Sequence, residues 1–181
     1  MQFLVDQWLP IVASAAIVFV VSFITHMVLP HHKSEFGKLP DEEEKMAGLG
    51  PVPPGLYMFP CPSSPQEMNS PEFMEKCKRG PNGLLAVWDG PVNMGKNLLL
   101  TFGFYLVVGV FVAYVGTHSI AADSTYLERF RICGTVAFCS HGLGWISFFI
   151  WFRYGRFWPN MLDSIAFALA TAGAFAWLWR A

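Results

Sequence analysis

LPIVASAAIVFVVSFITHMVL (residues 9–29) contains no Asp, Glu, Lys or Arg. It has the ~20 residues that a helix needs to cross about 30 Å of hydrocarbon. A cleaved signal peptide would want a basic leader and a shorter apolar core. Here residues 1–8 carry only Asp6 as a charge, and the run continues unbroken to Pro30. The expectation is a retained membrane helix, with Pro10 tolerated in its first turn.

The surroundings of this run extend the reading to the whole chain. Three further apolar runs follow at 97–117, 132–152 and 161–179, separated by short joins, Ser119–Arg131 and Arg153–Asn160. Short joins make consecutive helices antiparallel neighbours. With 54% apolar and 16% aromatic residues and a mean hydropathy of +0.40, the composition lies outside that of soluble domains. The expected fold class is an all-α integral membrane protein, a four-transmembrane-helix bundle. Its parts are 1–30 (an N-terminal segment and the first helix), a polar connector at 31–96, and 97–181 with helices two to four.

The connector holds 16 of the 25 charged residues and 10 of the 13 prolines. Asp41, Glu42, Glu43 and Glu44 after Pro40 suit the acidic first turn of a short helix ending near Gly48 or Gly50. Leu56–Pro60 and Leu84–Trp88 read as two short strands. Between them Ser70 caps a helix with Pro71 at its first position, ending before Gly80. Asn93 caps the entry to the second membrane helix. A flap of this size cannot support itself and is expected to rest on the membrane surface or a partner.

Lys and Arg set the orientation. The connector and the 153–160 loop carry nine, against Arg129, Arg131 and Arg180 on the other side. The excess places the connector in the cytoplasm and both termini outside. Arg129 and Arg131, at a membrane end, are the weak point of that count.

Net charge is −1, which gives no basic surplus for nucleic acid. Cys61, Cys77, Cys133 and Cys139 form no CxxC pair, so neither a zinc ribbon nor a thioredoxin-type site is indicated. Four free thiols suit a cytoplasmic or intramembrane setting. No Walker or dinucleotide fingerprint occurs, and no nucleophile stands with partners for catalysis. No internal repeat marks an inverted-repeat transporter. No catalytic, cofactor or metal site is assigned.

His141 is the most interesting single residue, because it falls near the middle of the third apolar run, where ionisable groups are costly. Gly134, Ala137 and Gly144 share its helical face, so the ring should point into the bundle as a neutral imidazole hydrogen-bonded across helices. His26 reads as an interfacial residue near the inner end of the first helix, and His118 lies at the outer end of the second. A bis-histidine haem wants two ligands at one depth. At ~1.5 Å rise per residue, His141 stands roughly 10–16 Å from each of the others along the membrane normal, which disfavours that cofactor. His31, His32, Cys61 and Cys77 have zinc-type side chains, but their spacing matches no usual site. Asp163, three residues after Asn160, is explained as a carboxylate complementing a helix N-terminus.

Small residues line the fourth helix (Ser164, Ala168, Ala172, and beside them Ala166, Ala170, Ala174). Gly109, Ala113 and Gly116 line the second, so both should pack closely. Trp145, Trp151, Trp158, Trp177 and Trp179 fall mostly at helix ends, as interface residues do.

Five segments, LPHHKSEFGKLPDEEEKMAGL (29–49), PPGLYMFP (53–60), GPNGLLAVWDGPVNMGKNL (80–98), AYVGTHSI (113–120) and TAGAFAWLW (171–179), together resemble an uncharacterised family of bacterial four-helix inner-membrane proteins. The resemblance implies the same architecture and the bacterial inner membrane, and it supplies no activity. The leading functional expectation is a non-enzymatic accessory or scaffold subunit. The lipid bilayer and other membrane subunits are its partners, the latter bound through the 31–96 connector. The alternatives are a cofactor- or quinone-linked redox protein using His141, and a small transporter or channel.

Overall fold

A computed structural model describes residues 2–180. The chain is mostly helical, and it divides into two units, one of residues 1–37 with 94–181 and one of residues 38–93.

In the first unit α1 (Gln2–Asp6) precedes α2 (Trp8–Phe23), which continues as a wide π-helical turn, Ile24–Val28. Leu29 is extended before Pro30, because a proline disfavours helix in the residue before it. A 3₁₀ turn, Pro30–His32, follows. The chain of this unit resumes as a 26-residue helix, Met94–Ser119. A third span runs Tyr126–Phe152, broken by a second π-helical turn at Cys139–Leu143, and a last helix covers Phe157–Leu178.

In the second unit α3 (Glu42–Leu49) carries the expected acidic first turn. Strand β1 (Gly55–Phe59) pairs antiparallel with β2 (Gly83–Val87), Tyr57 opposite Leu85. A four-residue turn of helix, α4 (Pro65–Met68), and α5 (Pro71–Arg79) lie between the strands. Ser70 Oγ accepts from the Phe73 backbone N–H at 3.1 Å, the cap expected from the Ser-Pro pair. The three later helical stretches of the first unit are α6 (Met94–Ser119), α7 (Tyr126–Phe138) with α8 (Gly144–Phe152) after the π turn, and α9 (Phe157–Leu178).

Among the described residues four helices are long and apolar enough to cross a membrane: Trp8–Val28, Met94–Ser119, Tyr126–Phe152 and Phe157–Leu178. The third starts six residues earlier than the expected 132. Thr125 Oγ1 accepts from the Glu128 backbone N–H, and the Glu128 carboxylate accepts from the Thr125 backbone N–H at 2.7 Å, which closes a capping box. Arg129 and Arg131 therefore belong to α7 and not to a loop.

α9 is the most enclosed span, with 56% of its apolar window buried, and it packs on both α2 and α7. Its Ala168 and Phe175 join Val112 and Ala113 of α6 and Cys133 and Ala137 of α7 in one core. The small-residue rows are thus the packing faces, as the spacing implied. A Cβ on Gly109 would meet the Ile11 backbone at 3.3 Å, and one on Gly116 would lie 2.6 Å from the Trp179 ring. Only glycine permits these approaches. At the same end of the bundle, buried Gln7 donates from Nε2 to the Arg180 carbonyl at 2.5 Å.

The stripe through Gly134, Ala137 and Gly144 is corrected by the π turn. One extra residue in that turn rotates everything after it, so buried Gly142 packs against Phe138 and Ser164, while Gly144 has nothing within 4 Å of where a Cβ would stand.

Candidate functional site

The site lies where α2 finishes and α9 begins. The π turn Ile24–Val28 carries His26, and the 3₁₀ turn that Pro30 forces carries His31 and His32. Residues 31–35 fold back onto the start of α9. Glu35 Oε1 accepts from Asn160 Nδ2 at 2.7 Å and from the Arg156 backbone N–H at 3.3 Å, and the Arg156 guanidinium donates to Ser34 Oγ. The first residues of the polar connector are therefore part of the bundle.

Asp163 is the centre. Its side chain is 6% exposed. His31 Nε2 donates to Oδ1 at 2.9 Å and His32 Nε2 to Oδ2 at 3.0 Å. His26 Nδ1 stands 3.5 Å from the same Oδ2. His26 stacks on His32 with centroids 4.6 Å apart and planes within 7°, and His31 lies tilted by 47° against His32 at 4.2 Å. α9 begins at Phe157, so Asp163 lies past its first turn, and complementing the helix N-terminus does not account for imidazoles drawn from 131 and 132 residues away.

An ionised carboxylate only accepts, so His31 and His32 each hold a proton on Nε2. His32 Nδ1 then faces Glu35 Oε1 at 3.0 Å, yet outside the line of a hydrogen bond, and it is buried without an aligned partner. Burial pulls the pKa of His32 down. The hydrogen bond to Asp163 and the negative charges of Asp163 and Glu35 outweigh that pull and raise it above the ordinary histidine value. Two carboxylates thus hold a site that favours a positive charge between them.

Beside this cluster opens a cavity of about 460 Å³, lined by His26, Tyr105, His141, Asp163 and Ser164, with Phe104 and Phe167 in its wall. The two π turns each place a histidine on it. π turns inside helices occur frequently at functional sites. His141 has three aromatic neighbours, Phe104, Tyr105 and Phe167, at centroid distances of 5.9, 5.8 and 5.6 Å. Its carbonyl accepts from Ser164 Oγ at 3.1 Å, and among the described residues no hydrogen bond holds its ring. The expected hydrogen-bonded imidazole is replaced by an aromatic collar. The third span runs Tyr126–Phe152, which leaves His141 near its middle, while His26 lies two residues from the end of the first; one cavity reaches both rings.

The other sequence candidates go elsewhere. His118 Nδ1 lies 2.8 Å from the Tyr114 carbonyl and its ring rests on Tyr114. His31 and His32 belong to the first unit and Cys61 and Cys77 to the second, and all four cysteines are free. What the sequence reading missed is the convergence on Asp163, with Glu35 and Asn160 behind it.

No match was found. The chain is similar to no protein-family model, no curated protein and no solved structure.

Proposed function

We propose that this chain is a small ion-handling protein of the bacterial inner membrane, which takes up a cation at the Asp163 cluster and passes it along the cavity toward His141. One observation carries the reading. A buried carboxylate inside an apolar, membrane-length helix has three imidazoles gathered on it. Ionisable groups at such positions are expensive and mark ion pathways and proton relays. Water-facing cations outnumber those of the opposite loops on the connector side, which supports a cytoplasmic connector and outside termini.

The test is flux in proteoliposomes, with an internal pH indicator for protons and a metal-sensitive dye for divalent cations. Wild-type protein should carry one of them faster than Asp163→Asn protein. Equal rates for the two proteins with both dyes would overturn the reading.

A scaffold or accessory-subunit role is the second reading. It is favoured by the 38–93 unit, where Leu56, Met58 and Trp88 are exposed, Trp88 by 71%. Mild-detergent purification would then recover partner proteins, and a lone monomer would count against it.

A further inference from the structure

We propose that His26, His32 and Asp163 are the protein ligands of a divalent transition-metal site of the zinc type, open on the cavity side. The inference rests on the cation-binding reading and names the ion class. One ligand atom from each of the three residues lies within 4.8 Å of the other two. On a tetrahedral ion with bonds of 2.0–2.1 Å, neighbouring ligand atoms stand about 3.3 Å apart. Two of the three spacings bracket that value, Asp163 Oδ2 to His32 Nε2 at 3.0 Å and to His26 Nδ1 at 3.5 Å, and the spacing between the two histidines is within 4.8 Å.

The atoms around these three fit a second shell. His31 donates to Asp163 Oδ1, which fixes the carboxylate with Oδ2 turned to both other histidines. Glu35 Oε1 stands 3.0 Å behind His32 Nδ1, the carboxylate–histidine–metal arrangement that orients a ligating imidazole. Asn160 in turn holds Glu35. His32 is 9% exposed and its buried Nδ1 has no aligned partner, whereas pulling Nε2 onto an ion would let the ring turn toward Glu35.

Stacked parallel rings do not aim their lone pairs at one point, so one ring must tilt. His26 is 51% exposed and is the ring free to do so. Its Nδ1 would leave the Ser22 carbonyl, 3.0 Å away, and the Thr25 hydroxyl, 3.1 Å away. Ligation needs a lone pair on each donor nitrogen, so the His32 Nε2 proton is exchanged through solvent for one on Nδ1, facing Glu35, and the His26 Nδ1 proton for one on Nε2. Two imidazoles and one carboxylate suit zinc-like ions over magnesium or calcium, which take oxygen ligands. Three protein ligands leave a fourth position for water or an exchanging group, on the side where the cavity opens.

The experiment uses the full chain in detergent, stripped with a chelator and titrated with Zn²⁺, with Co²⁺ as the spectroscopic probe. One ion per chain is expected, with the visible bands of four-coordinate cobalt and no thiolate charge-transfer band. His26→Ala, His32→Ala and Asp163→Asn should each weaken binding at least tenfold, and His31→Ala less. His118→Ala and the pair Cys61→Ser, Cys77→Ser should leave it unchanged. His26→Ala is the safest variant for folding, since that ring is half exposed. No binding to the wild-type chain, binding unchanged in His26→Ala, or binding lost in the cysteine variant would overturn the site. Proton flux that depends on Asp163 without any metal binding would remove the metal and keep the ion-handling reading, while loss of both would remove both.

Discussion

His32 and Asp163 meet at 3.0 Å, Nε2 to Oδ2, across 131 residues of sequence. This bond fastens the turn that ends the first span to the helix that makes the last. Asp163→Asn keeps the shape and removes the charge that two imidazoles share. Losing one side of a buried charged pair costs about 3–5 kcal/mol, so the thermal midpoint of the purified protein in detergent should fall clearly. An unchanged midpoint would mean that the two histidines are not held by the carboxylate.

The approach of Trp179 to Gly116 makes a second prediction. A Cβ there would stand 2.6 Å from the indole, whereas one on Gly103 would meet nothing within 4 Å. Gly116→Val should destabilise by about 1–3 kcal/mol through overpacking. Gly103→Val should stay within about 0.5 kcal/mol, as substitutions away from close contacts do. Thermal unfolding of the two variants side by side is the check.

Thr125 starts α7 by the capping box with Glu128. Thr125→Ala should cost about 1 kcal/mol. Faster amide exchange over residues 126–129 would show the loss where it occurs.

Phe73 is the one buried residue of the 38–93 unit. Phe73→Ala deletes nearly all of that unit's core, a loss of about 3–5 kcal/mol for a buried phenylalanine. So small a unit has little margin. Hydrogen exchange should show β1 and β2 losing protection, and unchanged protection in the sheet would place its support elsewhere.

Much of the architecture was legible because it follows from local chemistry. Charge-free runs give the spans, and Ser70-Pro71 before Gly80 gives α5. Gly116 and Ala172 mark close helix approach because small residues are what such contacts require. The π turns were not legible, since one extra residue per turn changes a helix's phase without changing its composition. That is why Gly144 was placed on the face that Gly142 occupies. The role of Asp163 was hidden differently. Hydropathy weighs each run alone, and a carboxylate early in a helix has a sufficient local explanation. The signal was in the topology: with four consecutive antiparallel helices, the exit of the first and the entry of the fourth share one end of the bundle. His31-His32 and Asp163 stand at those two points.

Asp163 holds these imidazoles in the folded protein. Nitrogen NMR of histidine-labelled protein in lipid nanodiscs reads that contact ring by ring. Two imidazoles should show hydrogen-bonded Nε2 protons, both shifting in Asp163→Asn while His118 stays in place. Five histidine signals that are all unaffected by Asp163→Asn would contradict it.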